Sequence, residues 1–219
     1  MKPILFNTEM VKAILEGRKT QTRRLPNSRI RDMWYSWDEY QCAVAPPGSI
    51  LATEKGFYEK HQPYEQGDVL WVRETWNYGF VESCDREFSN EVWFEPSDRK
   101  TEGSYLRSVS RFWYYADEND RKDMQELQGF WKPSIHMPRD AARIFLRVTN
   151  VRCERLQDIT NNDAKAEGIT CATDNSGMMH RHKFRQLWDS ITPPECQWDA
   201  NPWVWVITFE RCTEYEANL

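Results

Sequence analysis

The strongest constraint on the fold is an apolar run at residues 203–209, Trp-Val-Trp-Val-Ile-Thr-Phe, which follows Pro202. Aromatic and β-branched side chains favour strands, in which successive residues point to opposite faces. This strand would be apolar on both faces, so both faces must be covered by other parts of the chain. The run therefore predicts a central strand, with the proline just outside it because proline cannot donate to a β-ladder.

Shorter periodic segments complete the predicted fold. Ile144, Leu146 and Val148 recur at every second position, which is typical of a strand, and further strands are expected at 1–6, 69–74 and 112–116. Helices are expected after Thr8 as far as Gly17, after Thr160 as far as Glu167, and over 184–191. Residues 117–128 fit a loop or an exposed helix, and 133–138 an extended segment between prolines. Short strands with a few helices predict an α+β fold, a small mixed β-barrel decorated by helices.

The chain is predicted to form a single domain over residues 1–219. Periodicity is lost at about 27–65 and again at about 77–110. We interpret both stretches as irregular insertions into the core fold. An apolar fraction of 40% with 11 Trp is enough for a substantial core in a chain of 219 residues.

The net charge, the hydropathy and the spacing of the cysteines exclude several classes of function. The chain has 29 Lys+Arg against 34 Asp+Glu, a net charge of -5, whereas proteins that coat long nucleic acids are usually basic. No stretch approaches the roughly 18 apolar residues of a membrane span, so a cytoplasmic protein without a membrane partner is expected. The six cysteines form no Cys-x-x-Cys pair, and the four histidines are not spaced around them as zinc ligands. Neither a metal nor another cofactor is expected.

The candidate catalytic residues lie in a basic segment at residues 17–24, Gly-Arg-Lys-Thr-Gln-Thr-Arg-Arg. A lysine among arginines tends to lose its proton, because neighbouring positive charges and burial both disfavour its cationic form. Neutral Lys19 could then act as a base towards the hydroxyl of Thr20 or Thr22. Alternatively, the same residues could clamp a phosphate or carboxylate, or form an ordinary solvated surface.

This segment resembles the Gly-x-Lys-x-x-x-x-Arg signature of ASCH domains, through Gly17, Lys19 and Arg24. The Gly67-Asp68 turn with its following strand, and the terminal strand at 203–209, fit the same pattern. The resemblance implies the PUA-like fold of that superfamily. The segments 71–76 and 133–139 are similar to those of longer ASCH proteins from phages and prophages.

A sharper resemblance is to the bacterial ASCH enzymes that hydrolyse N4-acetylcytidine to cytidine and acetate. Their Gly-Arg-Lys-Thr-x-Thr-x-Arg motif is matched from Gly17 to Arg24, and their acidic helix segment by Ile159-Thr160 and Ala164-Lys165-Ala166-Glu167. The resemblance implies a metal-independent amidohydrolase in which Lys19 is the general base, Thr22 the nucleophile and Glu167 the proton donor. This chain is longer than those enzymes, so its insertions could change the pocket.

The roles fit amide hydrolysis, which needs an attacking oxygen, a base, donors for the oxyanion and an acid for the departing amine. Lys19 and Thr22 converge only if the segment turns, since a regular strand aims residues three apart at opposite faces. Glu167 must hold a proton, which burial or the charge of Asp163 one helical turn away could favour. Without the resemblance, Glu167 would be read as a helix-surface carboxylate.

Further residues are candidates for binding the modified nucleoside. Glu74 could bind a ribose hydroxyl or form a structural ion pair. Trp76 could stack on a base or pack in the core. His136 is a candidate ligand contact, and a nucleophile–base pair with Ser134 is less favoured because no third orienting group is evident. The substrate-binding set is Thr20, Arg24, Glu74, Trp76 and His136.

A second function is consistent with the same motif. The PUA-like fold commonly holds RNA and the motif is basic, so an RNA-binding or ribonuclease-like module acting on short single strands is the alternative. Salt-sensitive binding without deacylation would favour it.

Overall fold

The computed structural model describes residues 1–33, 54–83, 107–127, 129–171 and 179–217. The parts of the two predicted insertions at 34–53 and 84–106 lie outside the described residues. The strands are β1 (Lys2–Leu5), β2 (Gln21–Arg24), β3 (Val69–Arg73), β4 (Trp76–Ser83), β5 (Arg107–Tyr114), β6 (Phe145–Arg155) and β7 (Trp203–Cys212). The helices are α1 (Thr8–Leu15), α2 (Glu54–Lys60), α3 (Glu118–Glu126), α4 (Asn161–Ala166), α5 (Met179–Ile191) and α6 (Glu214–Ala217).

The described residues fall into two compact units. One comprises Met1–Ile4, Lys12–Val72 and Arg143–Leu219, and the other Leu5–Val11 and Arg73–Ala142. The assignment of a single domain with insertions stays a prediction. No helix among the described ranges is both long and apolar enough to cross a membrane.

A five-stranded sheet with the order β1-β3-β6-β7-β2 dominates the first unit. β7 pairs in antiparallel fashion with β6 on one side and β2 on the other, which confirms the central strand expected from its apolar sequence. The β6–β7 register shifts between Val148, opposite Phe209, and Asn150, opposite Thr208. Thr149 is therefore an extra residue, the arrangement of a β-bulge.

The fold is α+β as predicted, but the barrel expectation is not met within the described part of the chain. β1 and β2 are the two edges of the sheet, and neither pairs with the other to close it. A barrel requires every strand to have two neighbours, whereas here the helices lie against an open sheet.

Helices cover both faces of the central strands. On one face, α4 and α5 pack on Val204 and Val206 through a cluster that includes Leu156, Phe184 and Trp188. On the other face, Phe57 and Tyr58 of α2 pack on Cys153 and Trp205. The indole nitrogen of Trp205 also donates to the Tyr58 carbonyl at 2.8 Å.

The predicted ends of α1 and α4 are confirmed apart from the α1 cap, whereas α5 begins at Met179, five residues before the predicted start at Phe184. Asn7, not Thr8, caps α1, because its Oδ1 accepts the Met10 amide at 2.9 Å. Gly17 follows α1 at φ +73°, the left-handed conformation that favours glycine after a helix. Thr160 and Asp163 form the capping box that opens α4, and Glu167 is its C-terminal cap.

The second unit is more regular than its sequence suggests. β4 and β5 pair along their whole length, so the irregular stretch expected from residue 77 begins instead as a strand. α3 is a helix capped by Asp117, which decides between the two readings of 117–128. The segment between Pro133 and Pro138 is not extended, since Ser134–His136 forms a 3₁₀ turn.

Candidate functional site

The basic segment leaves α1 and enters β2. The amides of Arg18 and Lys19 donate to the Ala13 carbonyl at 2.9 and 3.0 Å, and the Thr20 amide donates to the Ala166 carbonyl at 2.9 Å. These bonds lay the segment against the C-terminal end of α4. Lys19 consequently forms an isolated antiparallel bridge with Glu167, residues that are far apart in the sequence.

Lys19 and Glu167 form a buried pair. The Lys19 amine donates to Oε2 of Glu167 at 2.8 Å and to its carbonyl oxygen at 2.9 Å. Their side chains are 0% and 5% exposed. A buried ammonium is costly unless it is paired, and this carboxylate supplies the partner. The structure thus brings two of the three predicted catalytic residues into direct contact.

Burial also changes the protonation of the amine. Loss of water lowers the pKa of Lys19 below 10.5, although the charge and hydrogen bond of Glu167 oppose the change. The positive charges of Arg24 and Arg23 lower this pKa further. A lower pKa makes the neutral amine, which is the form that can act as a base, more accessible than in an exposed lysine.

Glu167 is held from a second side by Arg23, a residue that the motif comparison left unassigned. The Arg23 side chain is 0% exposed, and its Nη1 donates to Oε1 of Glu167 at 3.2 Å. Its Nε and Nη2 donate to Oε1 of Glu154 on β6, at 3.2 and 2.5 Å. The guanidinium carbon lies 5.8 Å from the ring centre of Phe184 on α5.

The register of the strands explains how the side chain of Arg23 on β2 contacts Glu154 on β6. Arg23 on β2 and Arg152 on β6 are both opposite Val206 of β7, and Glu154 is opposite Val204. Directly opposite residues in an antiparallel pair lie on the same face. The small valines of the central strand leave room for the Arg23 side chain to cross β7 to the Glu154 carboxylate.

Asp163 forms hydrogen bonds that stabilise the surrounding network. It accepts from Thr160, from Gln21 Nε2 at 3.2 Å and from Arg152 Nη2 at 3.2 Å. Burial would raise the pKa of Asp163, but the Thr160 and Gln21 hydrogen bonds and the Arg23 charge lower it overall. The Glu167 carboxylate itself is bonded by Lys19 and Arg23.

Thr22 lies on β2 opposite Ile207 and is 3% exposed. Strand alternation aims Thr22 and Arg24 at the face opposite that of Gln21 and Arg23. No hydrogen bond joins Thr22 to Lys19 or Glu167 among the residues that the structure describes. Thr20 is exposed and Arg24 is half-buried. Burial lowers the pKa of Arg24, while the negative charge of Glu167 opposes this change.

The other predicted binding residues belong to the second unit. Glu74 is 2% exposed, and its amide donates to the Met137 sulfur at 3.2 Å. Trp76 packs in a core cluster with Met137 and Ala141, and the Lys132 amine lies 5.0 Å from its ring centre. Its buried ring favours the core interpretation over a stacking platform. His136 is exposed on its 3₁₀ turn.

A cavity of about 620 Å³ lies at the opposite end of α4 from Glu167. None of the predicted catalytic residues lines it. Its wall combines three basic side chains with apolar and polar groups, namely Ile159, Thr160, Asn161, Met179, Arg181, His182, Arg185 and Trp198.

Within the described ranges, no group of three or more His, Cys, Asp or Glu is placed to hold a metal ion. Comparisons with protein families, curated proteins and solved structures found no match for this chain.

Sequence reasoning missed Arg23, Gln21 and Glu154 as parts of this site. Arg23 occupies a variable position of the motif, so the resemblance gave it no role. A signal was present in the alternation of the strand, because Gln21 and Arg23 share one face two and four residues after Lys19.

Proposed function

We propose that this protein is a PUA-like ASCH hydrolase that cleaves the N4-acyl amide of acylated cytidine compounds, converting N4-acetylcytidine to cytidine and acetate without a metal. The observation that carries the proposal is the buried Lys19–Glu167 contact at 2.8 Å, with the pKa of the amine lowered. A neutral lysine hydrogen-bonded to a carboxyl group can pass a proton between an attacking oxygen and a leaving nitrogen.

In the first step, Lys19 removes the hydroxyl proton of Thr22 as its oxygen attacks the acyl carbonyl carbon. Arg24 or a backbone amide donates to the resulting oxyanion. The C–N bond then breaks, N4 of the cytosine takes a proton, and the acyl group remains on Thr22 as an ester. Water deprotonated by Lys19 attacks the ester carbonyl carbon, the bond to the Thr22 oxygen breaks as that oxygen takes the proton back from Lys19, and the acyl group leaves as acetate.

The Lys19–Glu167 bond offers a source for the proton on N4. Glu167 need not hold that proton beforehand, since protonated Lys19 can pass it to Oε2 across 2.8 Å. The carboxyl group then delivers it to the departing nitrogen.

The role of Thr22 as the nucleophile is assigned from the resemblance of residues 17–24 to the motif of the deacetylating ASCH enzymes. Its hydroxyl would have to reach the amine from the opposite face of β2, so its contribution needs a test separate from that of the base. Thr22→Ser keeps a hydroxyl, whereas Thr22→Ala removes it.

The decisive experiment is incubation of purified protein with N4-acetylcytidine, followed by chromatography of released cytidine. We expect turnover that is abolished by Lys19→Met, Thr22→Ala and Glu167→Gln and retained in part by Thr22→Ser. Lys165→Met is a matched control, because Lys165 is exposed on the same helix that leads to Glu167. Activity that survives Lys19→Met or Thr22→Ala would rule out this mechanism.

RNA binding or processing is a second candidate, supported by the basic wall of the cavity beside α5. Arg181, His182 and Arg185 line it within about one helical turn. Binding of a short single-stranded RNA should weaken as salt rises and on Arg181→Ala. Equal binding by Arg181→Ala would remove the support that this cavity provides.

A further inference from the structure

Arg23 bonds two carboxylates from different elements of the fold, Glu167 at the end of α4 and Glu154 on β6. Its Nη1 bonds the carboxylate oxygen of Glu167 that faces away from Lys19, at 3.2 Å, and its other nitrogens bond Glu154. The two oxygens of Glu167 are therefore divided between two basic side chains, Oε1 bonding Arg23 and Oε2 bonding Lys19. A carboxylate held through both oxygens cannot rotate away from the amine.

We propose that Arg23 is a positioning residue for the Lys19–Glu167 pair: its guanidinium holds Oε1 of Glu167 so that Oε2 stays directed at the Lys19 amine. This inference rests on the proposed hydrolase function for its catalytic consequence. It names a residue that the ASCH motif leaves variable. Arg23 touches neither substrate nor reacting atoms in this scheme and acts through its bond to Glu167 and its charge near Lys19.

The surrounding charges explain why the guanidinium stays fixed. Arg23 faces Glu154 from β6, and both Asp163 at 3.7 Å and Glu167 at 3.2 Å from the α4 segment. Arg152 of β6 bonds Glu154 and Asp163 at 2.9 and 3.2 Å. The contact from α5 is the apolar ring of Phe184. The planar guanidinium of an arginine has donors in fixed directions and can bridge two carboxylates, whereas a lysine ammonium would hold them less rigidly.

The same geometry has an electrostatic effect on the amine. Lys19 is acted on by the negative charge of Glu167 and by the positive charges of Arg23 and Arg24. Removing the Arg23 charge should therefore raise the pKa of Lys19. Removing the Glu154 charge should lower it, because the Arg23 cation would then be less compensated.

The test combines two measurements on the full-length protein. First, ¹³C-labelled lysine allows the pKa of Lys19 to be measured by NMR titration, with Lys19→Met identifying its resonance. Second, the pH dependence of kcat/KM and the separate values of kcat and KM are measured on N4-acetylcytidine. The variants are Arg23→Gln, Arg23→Lys and the control Arg152→Gln, which removes an arginine from the same network but none that bonds Glu167.

We expect Arg23→Gln to raise the pKa of Lys19 and to move the acid limb of kcat/KM to higher pH, since the base must be neutral. Its kcat should fall by roughly 100-fold, the cost of misplacing a catalytic group by about 1 Å, with KM little changed. Arg23→Lys should restore the pH profile more than kcat, because it keeps the charge but loses the fork. Arg152→Gln should resemble wild type in both measurements.

An Arg23→Gln protein that folds with the wild-type Lys19 pKa and pH profile would overturn the proposal, as would an equal change in Arg152→Gln. If Arg23→Gln does not fold, Glu154→Gln decides the question: a lower pKa of Lys19 supports the proposal, and an unchanged or higher one overturns it. Absence of deacylase activity in wild type would defeat the proposed function. The NMR titration would still show whether Arg23 controls the amine.

Discussion

Among the glycines with positive φ in the described part of the chain, Gly168 should be the least tolerant of substitution. Its φ of +88° disfavours any residue with a side chain. An added Cβ would also lie 2.9 Å from the Ala13 Cβ and 3.1 Å from the Lys19 Cβ. The left-handed backbone costs about 1–2 kcal/mol for alanine, and overpacking adds roughly 1–3 kcal/mol. Gly168→Ala should therefore lower the free energy of unfolding by about 2–5 kcal/mol.

Two other glycines provide the control for the backbone contribution. Gly17 and Gly67 have φ values of +73° and +91°, and an added Cβ would meet nothing within 4 Å at either position. Their alanine variants should each lose only about 1–2 kcal/mol. The effect of alanine on the unfolded chain is shared by all three variants and cancels in the comparison.

Urea unfolding at constant pH, followed by tryptophan fluorescence, measures the three losses. A double variant, Ala13→Gly with Gly168→Ala, removes the closest contact and should show a favourable coupling between the two positions. If Gly168→Ala loses no more than Gly17→Ala and Gly67→Ala, the reasoning from close packing against Lys19 is refuted.

Three further predictions follow from burial and capping. Burial lowers the pKa of Lys19 in the folded state below its ordinary value of 10.5. At a pH between the folded-state pKa and 10.5, the unfolded chain therefore binds more protons than the folded protein. Wild type should thus gain stability relative to Lys19→Met as the pH rises towards 10.5, and a pH-independent difference in urea unfolding would contradict this. Thr160→Ala should cost about 1 kcal/mol in the same assay through loss of the capping box, and Thr160→Ser much less; equal losses would argue against the cap. Burial raises the pKa of Cys153 to about 12, so this thiol should resist alkylation at pH 8 in the folded protein while half-buried Cys171 reacts, as read by mass spectrometry of the peptides. Equal labelling of the two cysteines would disprove it.

The helix around the site could be predicted because its signals are local. Thr160 and Asp163 form their capping box within one turn, and Gly17 and Gly168 mark chain reversals through their positive φ. The contact of Lys19 with Glu167 was anticipated only through the family resemblance. Nothing in their spacing links residues separated by 148 positions.

Two features of the structure, the strand β4 and the role of Arg23, were not predicted from the sequence, and each has a physical cause. β4 was missed because Gly79 and Asn77 disfavour strands, yet Gly79 provides room for a neighbouring ring: a Cβ there would lie 3.1 Å from Cζ3 of Trp113. Tertiary packing therefore overrode local preference. The role of Arg23 depends on the register of three strands across β7, which is not encoded in any one of them.

The bulge at Thr149 gives the middle of β6 an unusual tolerance of a shorter chain. Loops usually absorb the loss or gain of a residue, but here the extra residue lies within a strand of the sheet. Removing Thr149 would leave the pairing on either side of it in regular register, so Arg152 and Glu154 would keep their places opposite Val206 and Val204. Deletion of Thr149 should consequently be less damaging than deletion of Val151, which has a partner of its own in β7.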